Sequence, residues 1–517
     1  MPPMYVSRIL CCRSSRWGAD RDVAAATTPK ILPKRAELVY WPRRMADRNN
    51  MSGYSSSKKS SMDSETWHGS FRRLVDNQPS MNKPEFRCKV RALAGQAGQH
   101  RFSDKEYVVI QSTLAKYLAT EGKSLARIAC SRFFEIATDN RMINRATWDT
   151  GNLSSCRTPG IDGLTLEDFT GGGRVVDYSR ALSQRLHEGE YEPDPLRTTC
   201  IAKPDGGKRK LLIPTIEDRI IQRSILATIE PYLDALFLPN SFGFRKRKDR
   251  LDALAAAYVR SPEKGALHVV AADVKNAFPS TPKDRLFQVV RKYLFNEPIC
   301  DLVEQAFSNC AKGMPQGAPL SPIIVNLYLH HLVDRKWQKL GSSCELLRYA
   351  DDLLVVCSSR LEAEESYREL NKLVVPAGYR LKTDLENSVF DAGYRSSFEW
   401  LGYKVCLRPF EVSVAEKGWW QLRENLEYTI KHATKDNVAA LSKQATLAWL
   451  KQALPPMAEG QLGYVLHRVE EVINDLNLPV QLKFSEVREL HAEAAVRWTV
   501  ALAKAQEQHP ENDALVA

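Results

Sequence analysis

The sequence predicts a mixed α+β fold in which an antiparallel sheet packs on helices. Residues 346–356 form two apolar, strand-like runs joined by a turn with two adjacent aspartates, a pattern typical of a β-hairpin. Residues 267–272 form a third apolar run, which predicts a further strand. Between residues 415 and 505, apolar residues recur at helix-like spacing, and prolines separate the segments. We therefore expect a sheet in the centre of the chain and helices in its C-terminal part.

Three aspartates are the candidate catalytic residues and metal ligands. Asp351 and Asp352 lie in the hairpin turn, and Asp273 ends the upstream apolar run. Adjacent carboxylates repel each other and are costly to hold unless a cation neutralises them, and hard oxygen ligands suit Mg²⁺, with Mn²⁺ as the alternative. Together the three could hold two ions around a phosphoryl group in transit. The alternative is an Asx-rich surface turn, since Asp is a favoured turn residue.

Length and charge indicate several folded units and a polyanionic partner. The 517 residues exceed one average domain, and 44% hydrophobic with 26% charged residues is ordinary for a globular protein. The net charge of +11 suits nucleic acid, because neutralised phosphates release counterions. Residues 1–90 contain 17 Lys and Arg against 8 Asp and Glu, so most of this excess lies at the N-terminus.

The sequence indicates neither a membrane protein nor a disulfide-rich protein. No stretch approaches the ~20 apolar residues of a membrane span, and the first apolar run is too short for a signal peptide. We therefore expect a cytoplasmic protein with no membrane partner. The eleven cysteines include no Cys-x-x-Cys pair, which indicates neither a disulfide framework nor a zinc site.

The N-terminal part divides into two segments. Residues 1–85 are rich in Arg, Ser, Asn and Pro and predict a basic, disordered leader. A transit peptide, or a start of translation at Met51 or Met62, is the alternative for this segment. Residues 86–155 turn to helix-like spacing and predict a helical extension. A buried helical pair explains that pattern, and a segment that grips a template is the second interpretation.

A hairpin and a helix with cationic side chains follow. Residues 197–214 are two β-prone runs around a Pro-Asp-Gly-Gly turn, which predicts a hairpin with a basic tip. Residues 216–236 are strongly amphipathic and predict a helix that first of all contributes to the core. Arg219 and Arg223 lie one turn apart on this helix, a spacing that also suits contacts to template phosphates.

The next loop mixes aromatic and basic residues. Residues 241–248 read Ser-Phe-Gly-Phe-Arg-Lys-Arg-Lys. Single-strand-binding proteins combine stacking with a track of cations in this way, so Phe244 and Arg245 are candidate nucleic-acid contacts. A loop that two core phenylalanines anchor is the alternative.

Seven strings in the centre of the chain carry a family resemblance. They are KPDGGKR at 203–209, IPTIEDRIIQ at 213–222, SFGFR at 241–245, DVKNAF at 273–278, MPQGAPLSP at 314–322, YADD at 349–352 and FEWLGY at 398–403. In their order and approximate spacing they resemble a bacterial reverse transcriptase of the group II intron type. The resemblance covers roughly residues 155–410 and has a weaker continuation.

The resemblance implies a right-hand polymerase whose catalytic aspartates lie in the palm. The implied segments are fingers, palm, helical thumb and a C-terminal helical extension, at residues 156–260, 261–410, 411–475 and 476–517. One departure from the family lies after the catalytic hairpin. A lysine that relatives have there is missing from Leu385-Glu386-Asn387-Ser388, and Lys382 is the nearby alternative.

The resemblance also implies a nucleotide site. Lys203 and Arg209 would contact the triphosphate, although a solvated charged hairpin explains them as well. Phe278 would lie under the sugar, where its ring would clash with a ribose 2′-hydroxyl, and a place in the core is compatible with that role. Gln316 and Gly317 would approach the nascent base pair, since glycine removes the steric bar.

The implied activity is RNA-directed DNA polymerisation with an RNA template, a DNA or RNA primer and dNTPs. A dedicated structured noncoding RNA is a further candidate partner. Antiviral defence or another domesticated role is the preferred biological interpretation. The alternatives are a group II intron maturase without its nuclease domain, and a splicing or RNA-binding cofactor that retains the fold.

Overall fold

A computed structural model of the chain describes residues 130–508. It leaves out the following internal residues: 171–173, 203–205, 262–266 and 394–395. The predicted leader and most of the predicted N-terminal helical extension therefore lie outside the described residues. The same holds for Lys203.

The first described part is helical and precedes a two-stranded hairpin. Its elements are α1 (Phe133–Ala137), α2 (Asn140–Gly151), α3 (Leu166–Thr170), α4 (Val175–Glu188), β1 (Arg197–Ala202), β2 (Lys208–Ile213) and α5 (Ile216–Leu236). The strands β1 and β2 pair antiparallel, as predicted. Helix α5 begins where the Thr215 side chain accepts a hydrogen bond from the Asp218 amide, a typical N-cap.

A four-stranded antiparallel sheet forms the centre. Its strands are β3 (His268–Asp273), β4 (Glu345–Tyr349), β5 (Asp352–Cys357) and β6 (Val389–Asp391), in the spatial order β4-β5-β3-β6. Successive side chains of a strand point to opposite faces. Accordingly, Leu353 and Val355 belong to one hydrophobic core and Leu354 and Val356 to another. Both faces of the sheet are covered, so its central strand is apolar without interruption.

Helices cover this sheet. They are α6 (Arg250–Val259), α7 (Ala277–Ser280), α8 (Lys283–Leu294), α9 (Glu297–Gln305), α10 (Ser321–Leu329), α11 (Arg335–Leu340) and α12 (Arg360–Val374). A π-helical turn at His330–Asp334 joins α10 to α11. Residues of α5, α8, α9, α10 and α12 share the larger core, whereas α6 contributes to the core on the other face.

A second, three-stranded sheet and four helices complete the described chain. They are β7 (Phe398–Trp400), β8 (Tyr403–Leu407), β9 (Phe410–Val414), α13 (Glu416–His432), α14 (Val438–Ala453), α15 (Leu462–Asp475) and α16 (Phe484–Glu507). The four helices share one core, which continues across the predicted boundary between residues 475 and 476. Ala501 and Ala505 of α16 pack against Leu251, Ala255 and Val259 of α6.

The predicted α+β architecture, an antiparallel sheet packed on helices with a helical C-terminal part, is confirmed. Within the residues that the structure describes, no helix combines the length and apolar character needed to cross a membrane.

One buried ion pair joins the sheet to the helices. The guanidinium of Arg348 on β4 is 1% exposed, and its Nε and Nη2 donate to the two carboxylate oxygens of Asp334 at 2.7 and 2.5 Å. Its other N–H groups donate to Asn326 Oδ1 at 2.5 Å, to the Ala350 carbonyl at 2.9 Å and to Ser241 Oγ at 2.8 Å. All five donors of the side chain are thus used inside the protein.

We expect Asp334→Asn to lower the free energy of unfolding by about 3–5 kcal/mol, because it leaves the buried guanidinium without its counter-charge. Urea unfolding monitored by circular dichroism measures the change. The matched control is Glu364→Gln, which removes the partner of the more exposed Arg360 and Arg368 and should cost under about 1 kcal/mol. Equal losses in the two variants would contradict the role assigned to the buried pair.

Candidate active site

The two longest strands of the central sheet bring the three aspartates to one end. In the antiparallel register of β3 and β5, Asp273 is the partner of Asp352. Asp351 precedes Asp352 in the β4–β5 turn, and its carbonyl accepts a hydrogen bond from the Val274 amide at 3.0 Å. The backbone of the β3 end is therefore tied to the hairpin turn, and all three carboxylates stand on neighbouring backbone positions.

The electrostatics of these carboxylates reflect their closeness. Burial raises the pKa of Asp273, and the negative charges of Asp352 and Asp351 raise it further. Burial and the charge of Asp351 likewise raise the pKa of Asp352. Lys382 and Lys417 oppose both shifts. Like charges at this spacing favour a bound cation, since a cation relieves the repulsion.

The donor set fits a hard divalent ion in its chemistry, because every ligand is a carboxylate oxygen. Among the described residues, no three His, Cys, Asp or Glu side chains are already grouped around one point as a metal cage. Mg²⁺ is commonly held by one or two carboxylates together with substrate phosphates and waters. The three aspartates therefore suit a site that substrate oxygens complete.

The turn that carries Asp351 is conformationally unusual. Ala350 has a φ of 58°, in the left-handed region that residues with a Cβ seldom adopt. Its carbonyl accepts a hydrogen bond from Arg348 Nη1, and Gly243 lies directly against it. A Cβ on Gly243 would lie 2.3 Å from the Ala350 nitrogen. The loop before α6 thus fits against the turn that carries Asp351 through a glycine.

Phe278 is the second residue of α7, the short helix that follows the strand ending at Asp273. It is 9% exposed, and its ring contacts the ring of Phe244 edge to face at 6.0 Å between centroids. The two alternatives for Phe278, a core residue and a sugar-facing residue, remain compatible, since a small part of the residue is accessible. Phe244 therefore packs against Phe278 and does not lie on a separate loop surface.

The loop of Gln316 and Gly317 is fastened to the β1–β2 hairpin. The Gln316 carbonyl accepts a hydrogen bond from the Leu212 amide at 2.8 Å. Gly317 has a φ of 125°, and a Cβ there would lie 2.8 Å from the Leu212 carbonyl oxygen. A glycine is required at this position, because β2 approaches the loop too closely for a side chain.

The structure contradicts the assignment of Arg219 as a phosphate contact. Arg219 is 3% exposed, and its side chain donates hydrogen bonds to the carbonyls of Pro214 at 2.9 Å and Thr158 at 2.6 Å. Burial lowers the pKa of Arg219 to about 10. The physical reason is that the first turn of α5 is packed inside the protein, where Arg219 serves internal carbonyls.

Arg245 is a second correction. Its Nε donates to Asp234 Oδ1 at 2.5 Å, and its Nη groups donate to the carbonyls of Asp234, Leu238 and Ser241 at 2.8–3.0 Å. The side chain is 8% exposed. Because the last carbonyls of a helix have no partners within it, a basic side chain is favourable there. Arg245 therefore satisfies carbonyls at the end of α5 and in the loop that follows it, instead of a phosphate.

The contacts predicted for two further cationic residues, Arg223 and Arg209, stay predictions. Arg223 is half-buried, burial lowers its pKa, and its Nε has no hydrogen-bond partner among the described residues. Arg209 is half-buried on β2, opposite Ile201.

Sequence reasoning missed three contributors to this site. Arg348 interrupts an apolar run, and a charged residue within a predicted core strand is a signal that it is paired inside. Gly243 carried no such signal. Lys417 lies in the first turn of α13, far along the chain from the aspartates whose charge it opposes.

With the geometry established, comparison with known proteins identifies the class. The family described as reverse transcriptase (RNA-dependent DNA polymerase) matches residues 201–405. This range contains the whole central sheet and all three aspartates. The segment is a reverse transcriptase domain, that is, a nucleotidyltransferase domain of the RNA-directed DNA polymerase class.

Individual relatives refine this class. The chain is 23% identical to Protein YkfC of Escherichia coli (strain K12), over 57% of this chain and 88% of that protein. It is 28% identical to the group II intron-encoded protein LtrA of Lactococcus lactis subsp. cremoris, over 35% of this chain and 31% of LtrA. This chain is thus similar to bacterial proteins that include a group II intron-encoded one, and its match spans less than a third of LtrA.

A solved telomerase from Candida tropicalis, in complex with a TWJ fragment of telomeric RNA, overlaps 69% of this chain and 72% of its own. The TM-score is 0.36 and the sequence identity is 11%. The assignment depends on the family match and not on this low score.

We expect Gly243→Ala to reduce primer extension by roughly 10²-fold, because the added methyl would displace the Ala350 turn and misplace the carboxylates. Steady-state extension on an RNA template measures the loss. Gly463→Ala is the matched control, since a Cβ there meets nothing within 4 Å. It should leave the rate unchanged. A Gly243→Ala enzyme with the wild-type rate would show that the turn tolerates the displacement.

Proposed function

We propose that the protein makes cDNA on an RNA template, and that Asp273, Asp351 and Asp352 hold the catalytic ions. The observation that carries this assignment is the register that sets Asp273 opposite Asp352, with Asp351 beside it. Two adjacent strands that end in carboxylates give the oxygen-rich, cation-seeking site that phosphoryl transfer requires. Mg²⁺ fits these ligands, and Mn²⁺ is the alternative.

The parts of the protein take separate tasks in this proposal. When bound, two divalent ions supply a more acidic primer 3′-hydroxyl and charge neutralisation at the triphosphate. Asp273 and Asp351 are the main ligands, whereas Asp352 has a share in the structure of the hairpin. Phe278 excludes the ribose 2′-hydroxyl of an incoming nucleotide. The positive charges of Lys382 and Lys417 lie close enough to oppose the raised pKa of Asp273 and of Asp352. They also suit nearby substrate phosphates.

The remaining predicted nucleotide contacts stand on the hairpin and its neighbouring loop. Arg209 on β2 is the described candidate for the triphosphate, and Lys203, which lies outside the described residues, is the other. The bond from Leu212 to Gln316 couples the position of the hairpin to the loop of Gly317. A hairpin that carries cations and a loop that approaches the base pair would therefore move as one unit.

The proposed division of the chain follows the polymerase hand. Residues 156–260 would act as fingers, 261–410 as palm, 411–475 as thumb and 476–517 as a C-terminal extension. The shared core of α13–α16 supports joint movement of the last two segments.

The biological role has a first and a second candidate. Antiviral defence stays a prediction that none of the named relatives supports. The similarity to LtrA, an intron-encoded protein, favours a role as a group II intron maturase and reverse transcriptase. The proposed partners are an RNA template, a DNA or RNA primer and dNTPs. A dedicated structured noncoding RNA is a further proposal, and its copurification with the protein would test it.

Replacing Asp351 and Asp352 together with alanine should abolish dNTP incorporation, because one of the two main ligands for the ions is lost together with the carboxylate beside it. Extension of a primer on an RNA template in Mg²⁺ measures this activity, and EDTA should stop the wild-type reaction. Asp436→Ala, which removes one exposed carboxylate between α13 and α14, is the control for loss of an acidic side chain elsewhere and should extend normally. If the double variant remains folded and polymerises at the wild-type rate, the site assignment is wrong.

Phe278→Ala should raise the use of ribonucleotides relative to deoxyribonucleotides, since removal of the ring leaves room for the 2′-hydroxyl. Single-nucleotide incorporation of dCTP and CTP opposite the same template base measures the ratio of kcat/KM. We expect a shift of roughly 10-fold or more, in line with the loss of a steric contact in a specificity pocket. An unchanged ratio in an active enzyme would remove Phe278 from the nucleotide site.

A further inference from the structure

Phe244 adopts a backbone conformation that an aromatic residue rarely takes. Its φ is 58°, in the left-handed region where a Cβ is disfavoured and where glycine is at ease. Such outliers persist where the surrounding structure enforces them, and they are often found at functional sites. In this conformation the ring of Phe244 meets Phe278, with the ring planes at 86° to each other.

The residues on both sides of Phe244 are held firmly. Arg245 follows it and is fixed by its bonds to the end of α5. Gly243 precedes it, and the Gly243 carbonyl accepts a buried hydrogen bond from Asn326 Nδ2 at 3.0 Å. Asn326 is the residue whose side-chain oxygen binds Arg348. The backbone of Phe244 is therefore connected to the same network that holds the catalytic turn.

The Phe244 side chain is also engaged on more than one face. It is half-buried and packs against both hydrophobic cores, the one on each side of the central sheet. A ring placed in this way is poorly available for stacking on a template base, which was its predicted role. Its edge-to-face contact with Phe278 is of the kind that stabilises aromatic pairs beyond simple burial.

Phe278 itself is fixed at its backbone. Its carbonyl accepts hydrogen bonds from the Met314 amide at 2.8 Å and the Thr281 amide at 3.3 Å. A Cβ on Gly313 would lie 2.7 Å from the same carbonyl oxygen, so the backbone is closely packed. The side-chain torsions are then the freedom left to this ring, and Phe244 is the aromatic neighbour that restricts them.

We propose that Phe244 is a positioning residue for sugar selection, because its ring holds Phe278 in the orientation that excludes a 2′-hydroxyl. This inference rests on the proposed function of Phe278 and assigns a partner to it. Phe244 contacts the ring that would face the sugar and acts on the substrate through that ring.

Single-nucleotide incorporation by Phe244→Leu tests the proposal. The variant keeps apolar volume but loses the ring, so Phe278 should be free to turn aside. We expect the preference for dCTP over CTP to fall about 3- to 10-fold, the range that the loss of one aromatic pair predicts. The change should appear mainly as a lower KM for CTP, with kcat for dCTP close to that of the wild type.

Two further variants separate positioning from general destabilisation. Phe242→Leu is the matched control, since it makes the same substitution two residues away at a ring that faces Lys248. It should lower the melting temperature and leave the nucleotide preference unchanged. Combining Phe244→Leu with Phe278→Ala should give the preference of Phe278→Ala alone. A preference that falls equally in Phe242→Leu, or independent effects in the double variant, would overturn the proposal.

A measurement that needs no polymerase activity completes the test. With 4-fluorophenylalanine at position 278, Phe244→Leu should shift or broaden the ¹⁹F resonance more than Phe242→Leu does. An unchanged resonance would refute the positioning role even if the enzyme is inactive on RNA templates.

Equal losses with dCTP and CTP, accompanied by weaker binding of the template, would instead return Phe244 to template stacking. Failure of the wild type to incorporate dCTP, with the resonance shifted, would refute the proposed function and not the ring contact.

Discussion

The geometry of the candidate active site depends on the buried guanidinium of Arg348. A charge at this depth is tolerated because Asp334 neutralises it and all of its N–H groups are bonded. The same side chain reaches the Ala350 carbonyl, the Asn326 amide oxygen and Ser241. One cation thus fixes the β4–β5 turn, helix α10 and the loop before α6 relative to each other. The left-handed Ala350 persists because this network over-determines it.

Around this point the sheet combines two opposite physical demands. Its central strands are buried on both faces, which gives a rigid platform, and they end in carboxylates that repel each other. Low polarity around Asp273 and Asp352 strengthens that repulsion. A rigid end with concentrated negative charge is poor for folding stability and good for holding cations. Burial of both faces of the sheet offsets this loss of folding stability, and the positive charges of Lys382 and Lys417, outside the sheet, reduce the repulsion.

The arginines show how the same residue type serves two purposes. Arg219 and Arg245 occur in a basic, aromatic context that is typical of nucleic-acid contacts, yet both bind backbone carbonyls inside the protein. A planar group with five donors satisfies several carbonyls at once, so it suits irregular backbone as well as it suits phosphate. Composition reports the presence of donors and cannot report the identity of their acceptors. Arg223 lies half-buried on the same helix as Arg219, and its Nε has no hydrogen-bond partner among the described residues.

The sequence by itself determined the α+β class, the strand that ends at Asp273 and the hairpin with Asp351 and Asp352. These features are encoded locally, in apolar periodicity and turn chemistry, and the order of the seven strings indicated the reverse transcriptase class that the family match confirmed. Tertiary structure decided the register that sets Asp273 opposite Asp352, the pairing of Phe244 with Phe278 and the inward use of Arg219 and Arg245. Each of these joins residues that are distant in the chain or selects among several acceptors. Local patterns carry no information on such choices, because packing and the pairing of buried polar groups are settled only when the whole core forms.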